Sequence, residues 1–409
     1  MVDLLPDAVF KWNYFEKEVR ELFKNSSIKE IRTPIIESTD LFIRSIGEVT
    51  DVVGKEMYTF LDKGDRSCTL RPEGTASVVR AAIQSGLLQK GPQKLWYQGP
   101  MFRYERPQSG RLRQFHQLGV EYLGHNSIKS DIEIISLAWD LLQKLKCPDI
   151  TLQINSLGSK DDRLNFRKSL YEWLLERKDL LDKDSLSRLD RNPLRILDSK
   201  NSDTQKLLRN APRILDVLSS DSLIRFEKLK KGLTKMEIPY EVNQNLVRGL
   251  DYYSHTVFEF TRNSNSTICG GGRFDSLIKE LGGESLSAIG WAIGIERLLD
   301  GISLVPKINH PDIYLINKGK RAEINSIYLA RQIKSLNYHV EVDMSGSSFA
   351  KQFKRAYKSG SNWSIILGED EVENNLFILK RLNDDNKDNP FEKKIKFSEW
   401  NIIKEFIVK

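Results

Sequence analysis

Residues 102–124 read FRYERPQSGRLRQFHQLGVEYLG. Apolar and polar residues alternate through LWYQGPMFRYE (95–105) and again through QFHQLGVEYLG (114–124), a period of two that predicts two strands. Pro107, Ser109 and Gly110 mark a loop between them. The resulting hairpin carries Arg103, Glu105, Arg106, Arg111 and Arg113, with Gln117 and Glu121 on the return strand. Even spacing puts Arg103 with Glu105, Arg111 with Arg113, and Gln117 with Glu121 on common faces. A sheet face with so many ions is either solvated or meets a ligand bearing both signs of charge. A guanidinium is a planar fork suited to phosphate, whereas a carboxylate and an amide suit an amine.

The chain has 409 residues, enough for two or three domains with cores of their own. Its formal net charge of +7 points to an anionic partner such as nucleic acid. Cys68, Cys147 and Cys269 are far apart and form no C-x-x-C pair. Neither a zinc site nor a disulfide framework is expected, and a reducing cytoplasm fits. Charges interrupt the N-terminal apolar residues, which argues against a signal peptide. No stretch approaches the ~18 apolar residues needed to cross a bilayer. A P-loop motif is absent, so ATP would bind without one.

Taken in order, Asp7 to Lys24 has helical apolar spacing. IKEIRTPIIE reads as a strand entered near Ile28, placed at an edge or subunit contact by Pro34. CTLRP then runs as a strand into Glu73-Gly74-Thr75, with Thr75 the expected helix cap and Glu73 beside the first-turn N–H groups. Such a turn is also simply a good capping sequence. Ser130 to Lys146 is a helix and TLQINSLG a further strand. Ser159 to Lys235 looks helical and polar, with 19 Lys/Arg against 13 Asp/Glu, which accounts for most of the net charge. It fits a module lying on a phosphate backbone and a solvated bundle equally. Glu241 to Phe260 returns to strand, and Gly270 to Gly272 allow close backbone approach to a ligand before Arg273 leads into a helix. From Pro311 onward, alternating strands and helices predict a small α/β domain with a mainly parallel sheet. Within it Lys351, Lys354, Arg355 and Lys358 share one helix face, and Phe349, Phe353 and Tyr357 the other.

The pattern FR-x-E, loop, R-x-R-x-F-x-Q resembles motif 2 of the class II aminoacyl-tRNA synthetases, and the helix, strand and Pro34 resemble motif 1, the dimer contact in that class. TLRPEGTA, RLRQFHQLGVE, LVRGLDYYSHTVFEF, GGGRFDSL and GWAIGIERLL together are similar to the histidyl-tRNA synthetase family, from Asp3 to the C-terminus. The resemblance implies an antiparallel class II sheet flanked by helices (1–158 and 237–305), an inserted helical subdomain (159–236) and a C-terminal α/β anticodon-binding domain (311–409). The implied enzyme is a histidine–tRNA ligase of the cytoplasm and a homodimer with no membrane contact. It would activate L-histidine with ATP and Mg2+, without zinc or any metal held by Cys or His, and charge tRNA(His).

The resemblance also implies roles. Arg103 and Arg248 are the catalytic cations that bring two anions, carboxylate and α-phosphate, into line. Arg103, Arg111, Arg113 and Arg297 hold ATP. Glu73, Thr75 and Gln117 cage the α-ammonium, and Glu121 with Tyr252 or Tyr253 reads the imidazole. Arg106 and Gln108 contact the tRNA acceptor end. Two departures stand out: little chain precedes the D-x-L-P element, and Trp291 replaces the commoner Phe of motif 3. Competing readings are a non-catalytic relative, such as the regulatory subunit of ATP phosphoribosyltransferase, and a synthetase-like domain that only binds RNA.

Overall fold

A computed structural model describes residues 3–47, 50, 52–105, 110–190, 192–199, 201–247, 252–263, 266–302, 310–382 and 391–407. The chain divides into two compact units, 1–306 and 307–409. The strands of the first are β1 (Lys29–Glu30), β2 (Ile36–Ser38), β3 (Tyr58–Leu61), β4 (Ser67–Leu70), β5 (Gln93–Phe102), β6 (Gln114–Leu123), β7 (Ile150–Ser156), β8 (Glu241–Val242), β9 (Ser254–Arg262), β10 (Ser266–Arg273) and β11 (Ala288–Gly294).

Eight of these form one sheet in the order β1-β5-β6-β11-β10-β9-β7-β8. Its six long strands are antiparallel, while the two-residue strands β1 and β8 pair parallel at the edges. The expected strand around Pro34 is broken: β1 ends at Glu30, and β2 belongs to a small sheet ordered β2-β4-β3. Pro34, with no N–H to donate, lies in the connection. Likewise the stretch expected as strand from Glu241 to Phe260 is strand only in β8 and from Ser254 onward.

One face of the large sheet is covered by the helices Pro6–Asn25 and Ile128–Lys144. Trp12, Phe15, Val19 and Phe23 give the first helix its apolar stripe, and each fully buried phenylalanine contributes about 1.5–3 kcal/mol over its exposed state. Trp291 of β11 donates its ring N–H to Ile134 O at 2.9 Å, a bond that phenylalanine cannot make. On the opposite side the helix Thr75–Gln84 packs in a cluster that also contains Phe166, Leu170 and Leu174 of the helix Lys160–Leu175. Among described residues the stretch 159–236 contains helices and no strand, as its texture predicts.

The second unit has strands β12 (Ile313–Asn317), β13 (Val340–Val342), β14 (Trp363–Leu367), β15 (Leu376–Arg381) and β16 (Glu392–Lys396), ordered β13-β12-β14-β15-β16. Only the β13-β12 and β12-β14 pairs are parallel, so the sheet is mixed rather than mainly parallel. β16 (EKKIK) escapes sequence reading because only Ile395 is buried, the lysine-rich texture of a protected edge. The segment SEWNIIKEFIV, whose sequence predicts a final helix, forms 3-10 turns over Phe397–Glu405. The polar run 383–390 lies outside the described residues.

Residues of the helix Phe349–Lys358 divide differently from expectation: Gln352 and Ala356 are its buried face and Tyr357 is exposed. Gln352 repays its burial by accepting from Asn317 N at 2.9 Å and donating to Ser347 O at 2.8 Å. Arg355 leaves the basic stripe to pair with Asp343 at 2.7 Å. Burial alone would raise the Asp343 carboxyl, but hydrogen bonds from Arg355, Ser345 and Tyr314 outweigh it and hold the group at about 2. Because an unfolded aspartate titrates near 3.9, this group's contribution to stability is complete above pH about 4 and is lost as pH falls through about 2. Asp343→Asn is therefore expected to weaken amide protection in β12 at neutral pH, read by hydrogen-exchange mass spectrometry corrected for intrinsic rates. The difference from wild type should close as pH approaches about 2.

Candidate active site

The turn after β4 places Glu73 at the start of the helix Thr75–Gln84. Thr75 is not the cap that sequence suggests but the first helical residue. The cap is the Glu73 carboxylate, which accepts from Thr75 N at 2.7 Å and Ala76 N at 2.8 Å. This frees the Thr75 hydroxyl to donate to Glu121 Oε1 at 2.6 Å. Burial pushes the Glu73 carboxyl up, opposed by those two N–H groups. Burial also pushes Glu121 well above the usual carboxylate range, with the Thr75 bond opposing and repulsion from Glu73 adding.

Strand register explains how a glutamate fits here. Glu121 of β6 lies opposite Gly290 of β11, where an added Cβ would sit 1.7 Å from Glu121 Oε2. Gln117 lies in register with Gly99 of β5 and Gly294 of β11. Behind them the Tyr97 ring is wedged between Gly74 and Gly119, with Cβ clearances of 2.1 and 2.2 Å. Tyr97 Oη, Gln117 Oε1 and Glu121 Oε2 are buried without a hydrogen-bond partner. For Gln117 and Glu121, which line a cavity, such an orphan costs roughly 1–3 kcal/mol unless a ligand meets it.

Arginines gather round the hairpin. Arg103 donates from Nε to Pro72 O at 2.9 Å, lies 4.0 Å from Glu105, and sits over the Phe115 ring at 5.4 Å. Arg111 pairs with Glu105 at 3.4 Å. Arg297 straps the hairpin to β10, donating to Gly110 O at 2.9 Å and Thr267 O at 2.7 Å. Burial lowers its pKa, and the neighbouring Arg111 lowers it further. Beside it Glu296 accepts from His116 N and pairs with His116 Nδ1 at 2.8 Å.

The Glu73 and Glu121 carboxylates, the Gln117 amide, three of the arginines and Glu296 line one cavity of about 220 Å³. Nine of the residues named from sequence line it: Glu73, Thr75, Arg103, Arg111, Gln117, Glu121, Tyr252, Tyr253 and Arg297. Arg113 does not; it stacks on Tyr104 at 4.1 Å instead. Arg106, Gln108 and Arg248 lie outside the described residues. Sequence reasoning missed the apolar floor of Phe115, Ile268 and Phe274, and the acidic Glu296. Phe115 alternates onto the hairpin face with Gln117, a signal that was present, whereas Phe274 reaches the cavity only through the turn after β10. Among the described residues no group of three or more His, Cys, Asp or Glu is placed to hold a metal ion, and no helix is long and apolar enough to cross a membrane.

Residues 1–298 match the family model described as histidyl-tRNA synthetase, and residues 312–400 match an anticodon-binding domain. A histidine–tRNA ligase of Prochlorococcus marinus (strain MIT 9312) is 56% identical over 98% of this chain and 96% of its own length. The histidine–tRNA ligase of Synechococcus sp. (strain CC9902) is 54% identical over 95% and 94%. The crystal structure of apo histidyl-tRNA synthetase from S. aureus superposes with a TM-score of 0.80 at 36% identity, covering 100% of this chain and 98% of that one. A Bacillus halodurans protein described as an ATP phosphoribosyltransferase regulatory subunit/histidyl-tRNA synthetase shares the fold at 21% identity and a TM-score of 0.65, over 90% and 96%. With such identity sustained along the length, and residues from three strands and two helices meeting in one cavity, the chain belongs to the histidyl-tRNA synthetase family.

Proposed function

We propose that the cavity takes histidine at its carboxylate end and ATP at its arginine end, and joins them there. Membership of the family makes the chain a histidine–tRNA ligase: it activates L-histidine with ATP and transfers the histidyl group to tRNA(His), releasing AMP and diphosphate. The observation that carries the assignment of residues is the Glu73–Thr75–Glu121 chain of hydrogen bonds in the same cavity as three guanidiniums.

In this reading the α-ammonium replaces water against Glu73, Thr75 and Gln117. The ring lies on the apolar floor, with one nitrogen toward Glu121 and the other toward a hydroxyl of Tyr252 or Tyr253, whose rings are 4.7 Å apart. A site built to hydrogen-bond both ring nitrogens rejects side chains that leave those groups unpaired. Arg103 draws the α-phosphate toward the histidine carboxylate, and Arg248 opposes the charge that builds during attack. Arg111 and Arg297 hold the remaining phosphates, and Arg113 acts at one remove by bracing the hairpin. Mg2+ would enter with ATP and offset phosphate charge, and Glu105 and Glu296, both on the cavity wall, are the carboxylates that would hold the hydrated ion. Zinc has no role, and Cys68, Cys147 and Cys269 take no part.

Arg106 and Gln108, between β5 and β6 in the sequence, are assigned to the acceptor end of the tRNA. The division 1–158 with 237–305, 159–236 and 311–409 is retained as catalytic, inserted and anticodon-binding parts. A homodimer through the small sheet is supported by Ile36, Phe60 and Leu61, which are 51%, 41% and 65% exposed. The cytoplasm is where the tRNA partner places the reaction.

Histidine-dependent ATP–pyrophosphate exchange tests the whole reading. Arg248→Ala should abolish exchange with little change in melting temperature. Near-normal exchange in that variant would remove Arg248 from the chemistry. Gly290→Ala should displace Glu121 and raise the histidine KM on the order of a hundredfold, while the ATP KM moves far less. If the hairpin tip reads the extra 5′ nucleotide of tRNA(His), a transcript lacking it should be charged more slowly than the intact one at equal adenylate formation.

A further inference from the structure

The turn that presents Glu73 is held from behind by a cation. Arg71 is 5% exposed, and its guanidinium donates to Pro100 O at 2.9 Å and to Thr33 O and Thr33 Oγ1, each at 3.0 Å. Its backbone belongs to the same knot: Arg71 N donates to Ile35 O at 2.9 Å and Phe102 N donates to Arg71 O at 3.0 Å. Room for the head group exists because residue 99 is glycine, where a Cβ would lie 2.3 Å from the nearer terminal nitrogen. Every one of these side-chain bonds goes to a carbonyl or hydroxyl oxygen rather than to a carboxylate. A buried guanidinium satisfied only by dipoles is an expensive staple, since a neutral side chain could pack there at lower desolvation cost.

We propose that Arg71 is a positioning residue for the amino-acid end of the cavity, fixing the Glu73 turn against the Thr33–Pro34 segment and strand β5. It touches no substrate. It sets where the Glu73 carboxylate meets the ammonium; of the cavity's arginines, Arg103 meets this turn at Pro72 O, whereas Arg111 and Arg297 are held by Glu105, Gly110 O and Thr267 O. The inference rests on the assignment of Glu73 to histidine.

Steady-state exchange kinetics on Arg71→Met, Arg71→Lys and Gly99→Ala, with active sites titrated, test it. Arg71→Met should raise the histidine KM on the order of tenfold to a hundredfold with a much smaller effect on ATP. Arg71→Lys, which keeps the charge but reaches fewer carbonyls, should fall between. Gly99→Ala should mimic Arg71→Met, because it ejects the guanidinium, and the double variant should be no worse than Arg71→Met alone. If Arg71→Met does not fold, Arg71→Lys and Gly99→Ala carry the measurement. Equal shifts for both substrates, or none, would overturn the proposal. Absence of histidine-dependent exchange in the wild type would instead overturn the assignment beneath it.

Discussion

A helix that begins on a carboxylate is the constraint on which this active site depends. Because Glu73 satisfies the first N–H groups of the helix Thr75–Gln84, Thr75 has no capping duty and can turn its hydroxyl to Glu121. Two buried acids from different elements are thereby held in fixed relation. Neither would survive there alone: a buried carboxylate without donors is driven to take up a proton or to leave. The arginines face the reverse problem, and they solve it with backbone carbonyls and with Glu105.

Much of this was legible before any coordinates. Alternation announced β5 and β6, and the hairpin's Arg, Gln and Glu residues do converge on one cavity. What period-two reasoning lacks is the neighbour across the sheet. Nothing local to GWAIG says that Gly290 must be small because Glu121 stands beside it, nor that Tyr97 fills the space left by Gly74 and Gly119. Thr75 misled for a related reason: its cap propensity is real, but a longer acid two residues earlier reaches the same N–H groups.

Polarity patterns failed most clearly in the second unit. Gln352 reads as a surface residue and is buried, since its amide completes the backbone bonding of Asn317; Tyr357 reads as core and faces solvent. Arg355 reads as one of four free cations and is committed to Asp343. Three lysines of that helix, 351, 354 and 358, are left exposed. Propensity and periodicity describe a segment's average environment, whereas these three outcomes were decided by single hydrogen bonds between elements distant in sequence.

The glycines around Glu121 and Tyr97 have one more implication, for how such a protein can change. Selection for heat resistance ordinarily favours Gly→Ala exchanges, which rigidify the unfolded chain and fill space. At positions 74, 119 and 290 that route is closed, because the missing methyl groups are the mould in which the reactive side chains are cast. Lineages adapting to higher temperature must look elsewhere in the sheet for rigidity, and drift toward another amino acid would have to recast several strands at once.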